Sequence, residues 1–176
     1  MRETALPAPT GDITSVSDVH DLVVEFYRDV VFDDLLAPVF GEVVEVDWAE
    51  HIPKLIDYWA RILLGAPGGV GPIMSAHRHV HSLEPVTVEL CDRWFMLWSE
   101  CVAQSWQGPV AERAVEHAAA IMEGMARHVF DIEWVRPAAL GRTPASPATA
   151  GPARADSVRA DSATVASVRE MVSGGS

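Results

Sequence analysis

From Val16 to Val129 the apolar residues of this chain recur at spacings of three and four, and the breaks between runs are marked by glycine, proline or a helix-capping side chain. That period places one apolar stripe along a helix and has no use in a strand, whose faces alternate every two residues. The first run is Val19, Leu22, Val23, Phe26, Tyr27 and Val30, with Ser17 as its expected N-cap. A turn at Phe32-Asp33-Asp34 leads into Leu35-Leu36-Ala37-Pro38-Val39-Phe40, too short for a full helix and closed by Gly41. Asp47 with Glu50 reads as a capping box opening the next helix, which passes Pro53 with an expected distortion and stops at Gly65. Residues 65–72 are a Gly/Pro loop, followed by a short His-rich helix from Ile73 to Ser82. Thr87 caps a long helix carrying Leu90, Cys91, Trp94, Leu97, Trp98, Cys101 and Val102 on one stripe. Gly108 breaks it, and Pro109 suits the first turn of a last helix through Val129. The expected class is all-α.

Composition divides the chain into three. Residues 1–14 read as a flexible N-terminal segment, 15–136 as one helical domain, and 137–176 as a disordered tail of Ala, Ser, Pro, Gly, Thr and Arg. Counted from Arg136, the end holds five Arg against three acidic residues, so the body is more acidic than the net −12 of the whole chain. A nucleic-acid binder needs a basic face to displace counterions, and an anionic membrane surface makes the same demand. Neither partner is expected here. No apolar run reaches the length of a membrane-spanning helix, and no signal-type apolar region precedes Asp18, so a cytoplasmic protein is the expectation. Cys91 and Cys101 stand ten residues apart on one helix, about 15 Å along the axis, too far for a disulfide between them.

Chemistry concentrates between Tyr27 and Trp98. Trp48, Trp59, Trp94 and Trp98 fall within about fifty residues and can line a large apolar cavity. His77-Arg78-His79-Val80-His81 puts His77 and His81 on one helical face. One reading is a zinc enzyme with those two histidines as ligands, although the nearest acid, Glu84, lies past the helix end. A haem reading needs a single imidazole below the iron and hydrogen-bond donors above it. In that reading His81 is the ligand, with its second N–H donating to the carbonyl of His77. Tyr27, a phenol on an apolar face, His51, near a helix N-terminus that keeps an imidazole neutral, and Trp94, a donor only, supply the distal polar set. Phe40, Leu55, Tyr58 and Trp98 are candidates to touch the ring, and Lys54, with Arg78 second, to pair with a propionate.

At these residues the chain resembles the truncated haemoglobins, small bacterial globins with two helices packed over two. The matching text is Phe26-Tyr27-Arg28-Asp29-Val30, Leu35-Leu36-Ala37-Pro38-Val39-Phe40, Asp47-Trp48-Ala49-Glu50-His51, Tyr58-Trp59-Ala60-Arg61-Ile62-Leu63-Leu64-Gly65, His81 and Asp92-Arg93-Trp94, spanning roughly residues 16–130. The Trp-x-x-His segment and the Tyr-Trp-x-x-x-Leu-Leu-Gly run are most similar to the family's third group. The resemblance implies a two-over-two helical sandwich, haem b, and O2, CO or NO as ligand, with an unidentified electron donor. It makes His81 the proximal ligand, Phe40 the ring-packing phenylalanine, and Tyr27, His51 and Trp94 the distal set. The thirteen-residue step from His81 to Trp94 needs no gap, whereas a gapped match selects His77. NO detoxification and peroxidase-like chemistry are roles suggested for the family, and a globin scaffold alone does not choose between them. A haemless helical interaction module keeps the same fold without the cofactor. The visible spectrum with added haemin and a metal analysis separate the three readings.

Overall fold

The protein is described here by a computed structural model covering residues 9, 11–43, 46–67 and 73–138, with side chains omitted at 42, 43 and 73–76. The described residues form helices and no strand. In chain order these are α1 (Val16–Phe32), α2 (Trp48–Leu64), α3 (Ile73–Leu83), α4 (Val88–Ser105) and α5 (Pro109–Met125). Two wide π turns, Val39–Val43 and Ala126–Phe130, stand between α1 and α2 and at the end of α5. Helix α1 packs on α2 and α4 on α5, and the pairs meet with α1 against α4 and α2 against α5. This is the two-over-two sandwich the resemblance implies. Helix α3 sits apart and packs on the terminal π turn.

Local chemistry sets the ends. Helix α1 is capped two residues earlier than Ser17 suggests. Ser15 is the N-cap, and its hydroxyl and the Asp18 carboxylate complete a capping box that also holds the Thr14 amide. Ser15 wins because Asp18 lies three residues beyond it and can reach back. At α2, Asp47 caps the amides of Ala49 and Glu50 as expected. The Glu50 carboxylate instead takes the Lys54 ammonium at 3.0 Å, so the expected capping box is replaced by an i,i+4 ion pair. The helix continues through Pro53 to Gly65, whose φ of 70° is the left-handed C-cap glycine accepts at no steric cost. Thr87 caps α4, and Pro109 opens α5. Gly41 does not close the segment before it. It lies inside the first π turn.

The core is where the four long helices meet. Phe26 of α1, Trp59 of α2 and Trp98 of α4 are almost wholly buried. The Trp59 and Trp98 rings stack with centroids 4.2 Å apart, and Phe26 meets Trp98 edge-on at 5.0 Å. Ring pairs of this kind add about 0.5–1.5 kcal/mol beyond the area they bury. The Trp98 indole N–H donates to the Ala114 carbonyl of α5 at 3.1 Å, satisfying the one polar atom the stack would otherwise strand.

Contacts at both ends of the described body join it to the helices. Residues 11–14, read from the sequence as part of a flexible segment, touch α5 and the core. Ile13 is fully buried, and the Asp12 carboxylate accepts from the amides of Val110 and Ala111 at 2.9 and 2.8 Å, capping α5 from outside. Gly108 must be glycine there: its φ is 138°, and a Cβ would sit 2.6 Å from the Asp12 Cγ. Past α5, Trp134 is buried and donates to Asp92 at 2.8 Å, while Arg136 pairs with Glu116 and lies over the Phe95 ring. The expected disordered tail falls, from residue 139 onward, outside the described residues. No described helix is long and apolar enough to cross a membrane.

Asp12→Ala removes a two-amide cap, so stability falls by about 0.5–2 kcal/mol, read as a lower thermal midpoint. A second outcome concerns acid. Burial holds His51 and His117 down to about 4, so both stay neutral in the fold at pH values where the unfolded chain, at 6.5, takes up protons. The unfolded state then binds more protons between pH 6.5 and 4, and stability is full above that window and lost as pH falls through it. His51 contributes a slope of up to about 1.4 kcal/mol per pH unit. Thermal midpoints measured across that window fall with acid, and His51→Leu flattens part of the decline.

Candidate functional site

An apolar cavity opens between the helix pairs and α3. This slot has a volume of about 70 Å³, below the roughly 300–1,000 Å³ of cofactor and ligand pockets, so a ring-sized molecule enters it only if the walls part. Helix α1 contributes Tyr27 to the wall, the first π turn Val39 and Phe40, α3 His77 and Val80, and α4 Leu90, Cys91 and Trp94. Met122 and Met125 of α5 and Phe130 of the second π turn close it. Both π turns therefore border the slot. Their extra residue per turn swings Phe40 and Phe130 to positions an α-helical register would not give them.

The polar groups on this wall are few and defined. Tyr27 is buried, which pushes its hydroxyl well above the ordinary phenol range, and the Trp94 indole N–H donates to it. The phenol thus keeps its proton at any ordinary pH. Its ring is held edge-on by Phe26 at 4.8 Å and by Phe40 at 6.2 Å, and Trp48 covers both from outside. Cys91 is pushed up to about 12 by burial first and by Asp92 second, so it is a neutral thiol. Such a thiol competes weakly for a metal, because the thiolate is the ligating form. Behind the wall, Asp33 takes Arg93 at 2.6 Å and caps the amides of Leu35 and Leu36. Burial raises that carboxyl, but Arg93 and the two amides outweigh it and hold it below the usual range. The pair ties the turn leading to Phe40 onto the helix bearing Trp94.

The structure sorts the expected site residues into two sets. Tyr27, Phe40 and Trp94 share the cavity wall. His77, which the gapped match selects, lies there with them, 8% exposed and facing Phe130. His81 is only half-buried and lies outside the lining, beside Phe130 at 5.4 Å. Its Nδ1 accepts the Val86 amide at 3.0 Å, where an N–H donating to the His77 carbonyl was expected. A neutral ring that accepts at Nδ1 carries its proton on Nε2, leaving no lone pair there for a metal. Val86 takes this role because the chain turns back directly after α3.

Other candidates face elsewhere. Leu55, Tyr58 and Trp98 are buried in the helix crossing and not on the slot. Lys54 is spent on Glu50. His51 is 2% exposed, and its Nε2 has no hydrogen-bond partner among the described residues, an orphan that buried polar atoms rarely are. Sequence reading missed the Tyr58–His117 and Trp134–Asp92 bonds, since both pair residues more than forty positions apart. Among the described residues no group of three His, Cys, Asp or Glu is placed to hold a metal ion, so His77 and His81 find no third zinc ligand there.

No family model and no curated protein matches the sequence. A crystal structure of group III truncated hemoglobin from Campylobacter jejuni does match the fold, with a TM-score of 0.59 at 22% identity, covering 67% of this chain and 93% of that one. The four crossing helices, the separate α3 and the slot between them are the truncated-globin fold.

Proposed function

We propose that the slot binds haem b, that His77 is the protein ligand to its iron, and that a diatomic gas is held under Tyr27 and Trp94. The observation that carries the reading is His77 on the wall of an apolar slot that also holds a protonated phenol and an indole N–H. The residues suit the group. The slot is narrow and apolar, one imidazole is offered to it, and the cysteine on its wall is a neutral thiol. Bound haem supplies an open coordination position for O2, CO or NO and one-electron redox chemistry. Phe40 and Phe130 pack the ring. Trp94 occupies the Tyr27 oxygen, which leaves the phenol proton as the donor available to a ligand in the slot. The orphaned His51 nitrogen on α2 is a further partner for that ligand or for water entering with it. NO detoxification or peroxidase-like turnover would draw on the same residues and on an external electron donor.

The spectrum of the full chain titrated with haemin decides this. A Soret band that responds to CO supports the reading, and its failure to appear overturns it. His77→Gly removes the band or leaves it restorable by free imidazole, while His81→Gly keeps it. The reverse pattern returns the ligand to His81. Hydrogen bonds to a partly charged acceptor contribute roughly 1.5–3 kcal/mol, about ten- to a hundredfold in off-rate. Tyr27→Phe therefore raises the O2 off-rate by that order and moves CO, which carries little negative charge, much less. Equal effects on both gases would assign Tyr27 a purely steric role.

A further inference from the structure

Four aromatic side chains run from the slot to the far side of the helix crossing. Trp94, on the slot wall, lies parallel to Trp98 with centroids 6.1 Å apart and planes at 1°. Trp98 stacks on Trp59 at 4.2 Å. Trp59 meets Tyr58 edge-on at 5.4 Å. The Tyr58 hydroxyl then lies 2.6 Å from Nε2 of His117 on α5. Each step joins rings that can lose an electron, with centroids 4.2, 5.4 and 6.1 Å apart, and the last residue has an imidazole nitrogen beside its hydroxyl.

The two tyrosines differ in this respect. Oxidising a phenol at neutral pH is easy only if its proton can leave as the electron does. Tyr27 faces the Trp94 N–H, which can only donate. Burial keeps the Tyr58 phenol protonated and the His117 ring neutral, and with the ring proton on Nδ1 the phenol donates to the bare Nε2. The Trp98 N–H is bound to a carbonyl, which takes up no proton, so an electron hole does not settle there. The low point of the chain is Tyr58, although Tyr27 is nearer the slot. Cys91, Met122 and Met125 on the slot wall are all oxidisable, so a route that removes oxidising equivalents has something to protect.

We propose that Trp94, Trp98, Trp59 and the Tyr58–His117 pair form a relay that carries oxidising equivalents out of the slot and delivers them to Tyr58. A one-electron oxidant, of the class that a hydroperoxide generates at haem, takes an electron from Trp94. Trp98, Trp59 and Tyr58 refill it in turn. As Tyr58 loses its electron, its O–H bond breaks and the proton passes to His117 Nε2, giving a neutral tyrosyl radical and an imidazolium. A one-electron reductant from solution returns the electron to Tyr58, and His117 returns the proton. The source of the oxidant rests on the haem reading. The order of the relay does not.

The test has two arms. In the first, the full chain without haem is exposed to azide radicals by pulse radiolysis, which oxidise indoles, and the indolyl and tyrosyl absorbances are followed. The tyrosyl signal grows as the indolyl signal decays, at a rate independent of protein concentration. Tyr58→Phe, which removes only the hydroxyl, abolishes that growth, and Tyr27→Phe leaves it. His117→Leu also abolishes it with Tyr58 still in place, and Trp59→Phe slows it, with helicity checked by circular dichroism. Tyrosyl growth that survives Tyr58→Phe, or that scales with concentration, overturns the relay. In the second arm, haemin-loaded protein is treated with hydrogen peroxide and frozen for electron paramagnetic resonance. A tyrosyl signal lost in Tyr58→Phe supports drainage from the slot, and one lost only in Tyr27→Phe overturns it. If the chain takes up no haemin, the haem reading fails alone and the first arm still decides the relay.

Discussion

The crossing of α2 and α4 through Trp59 and Trp98 is the contact on which the other parts depend. Two large flat rings stacked at 4.2 Å set how closely the pairs approach, and Phe26 wedged edge-on fixes α1 against them. Large side chains at that depth each contribute on the order of 1.5–3 kcal/mol from burial alone. Beside that stack, Leu36, Val39, Val80, Met122 and Met125 line the slot together with Trp94.

The slot is shaped by the irregular parts of the chain. Regular helices supply Tyr27 and Trp94, but Phe40 and Phe130 come from π turns, and His77 comes from a short helix held by the second of them. The Asp33–Arg93 pair then couples the Phe40 side to the Trp94 side. The site is thus assembled from segments whose own helical propensity is weak and whose positions are set by what they pack against.

Titration behaviour follows from the same burial. Tyr27, Tyr58 and Cys91 are pushed up and His51 and His117 down, every one toward its neutral form, because the crossing and slot exclude water. An interior of neutral donors and acceptors suits ligands whose charge develops only on binding. The chain's acidity stays outside, on carboxylates such as Glu50 and Glu116 paired with surface bases.

Much of this was legible in the residues. The three- and four-residue spacing, Asp47, Gly65, Thr87 and Pro109 define the helices and their ends, because caps and periodicity act within one or two turns. The resemblance also brought Tyr27, Phe40 and Trp94 to one cavity in advance. It selected His81, whereas His77 is the histidine on the slot wall. Both lie on the same face of α3, and the choice depends on where Val86 returns its amide and how Phe130 packs, which are contacts of tertiary origin. It also sent Tyr58 and Trp98 to the slot, since a strip of aromatic residues does not say which of two apolar spaces each ring fills. Asp12 on α5, Trp134 on Asp92 and His117 on Tyr58 pair residues far apart in sequence. Local sequence determined the helices and their caps. The pairings that place a base beside one tyrosine and a donor beside the other were decided only when the helices crossed, because a hydrogen bond's partner is set by distance in space.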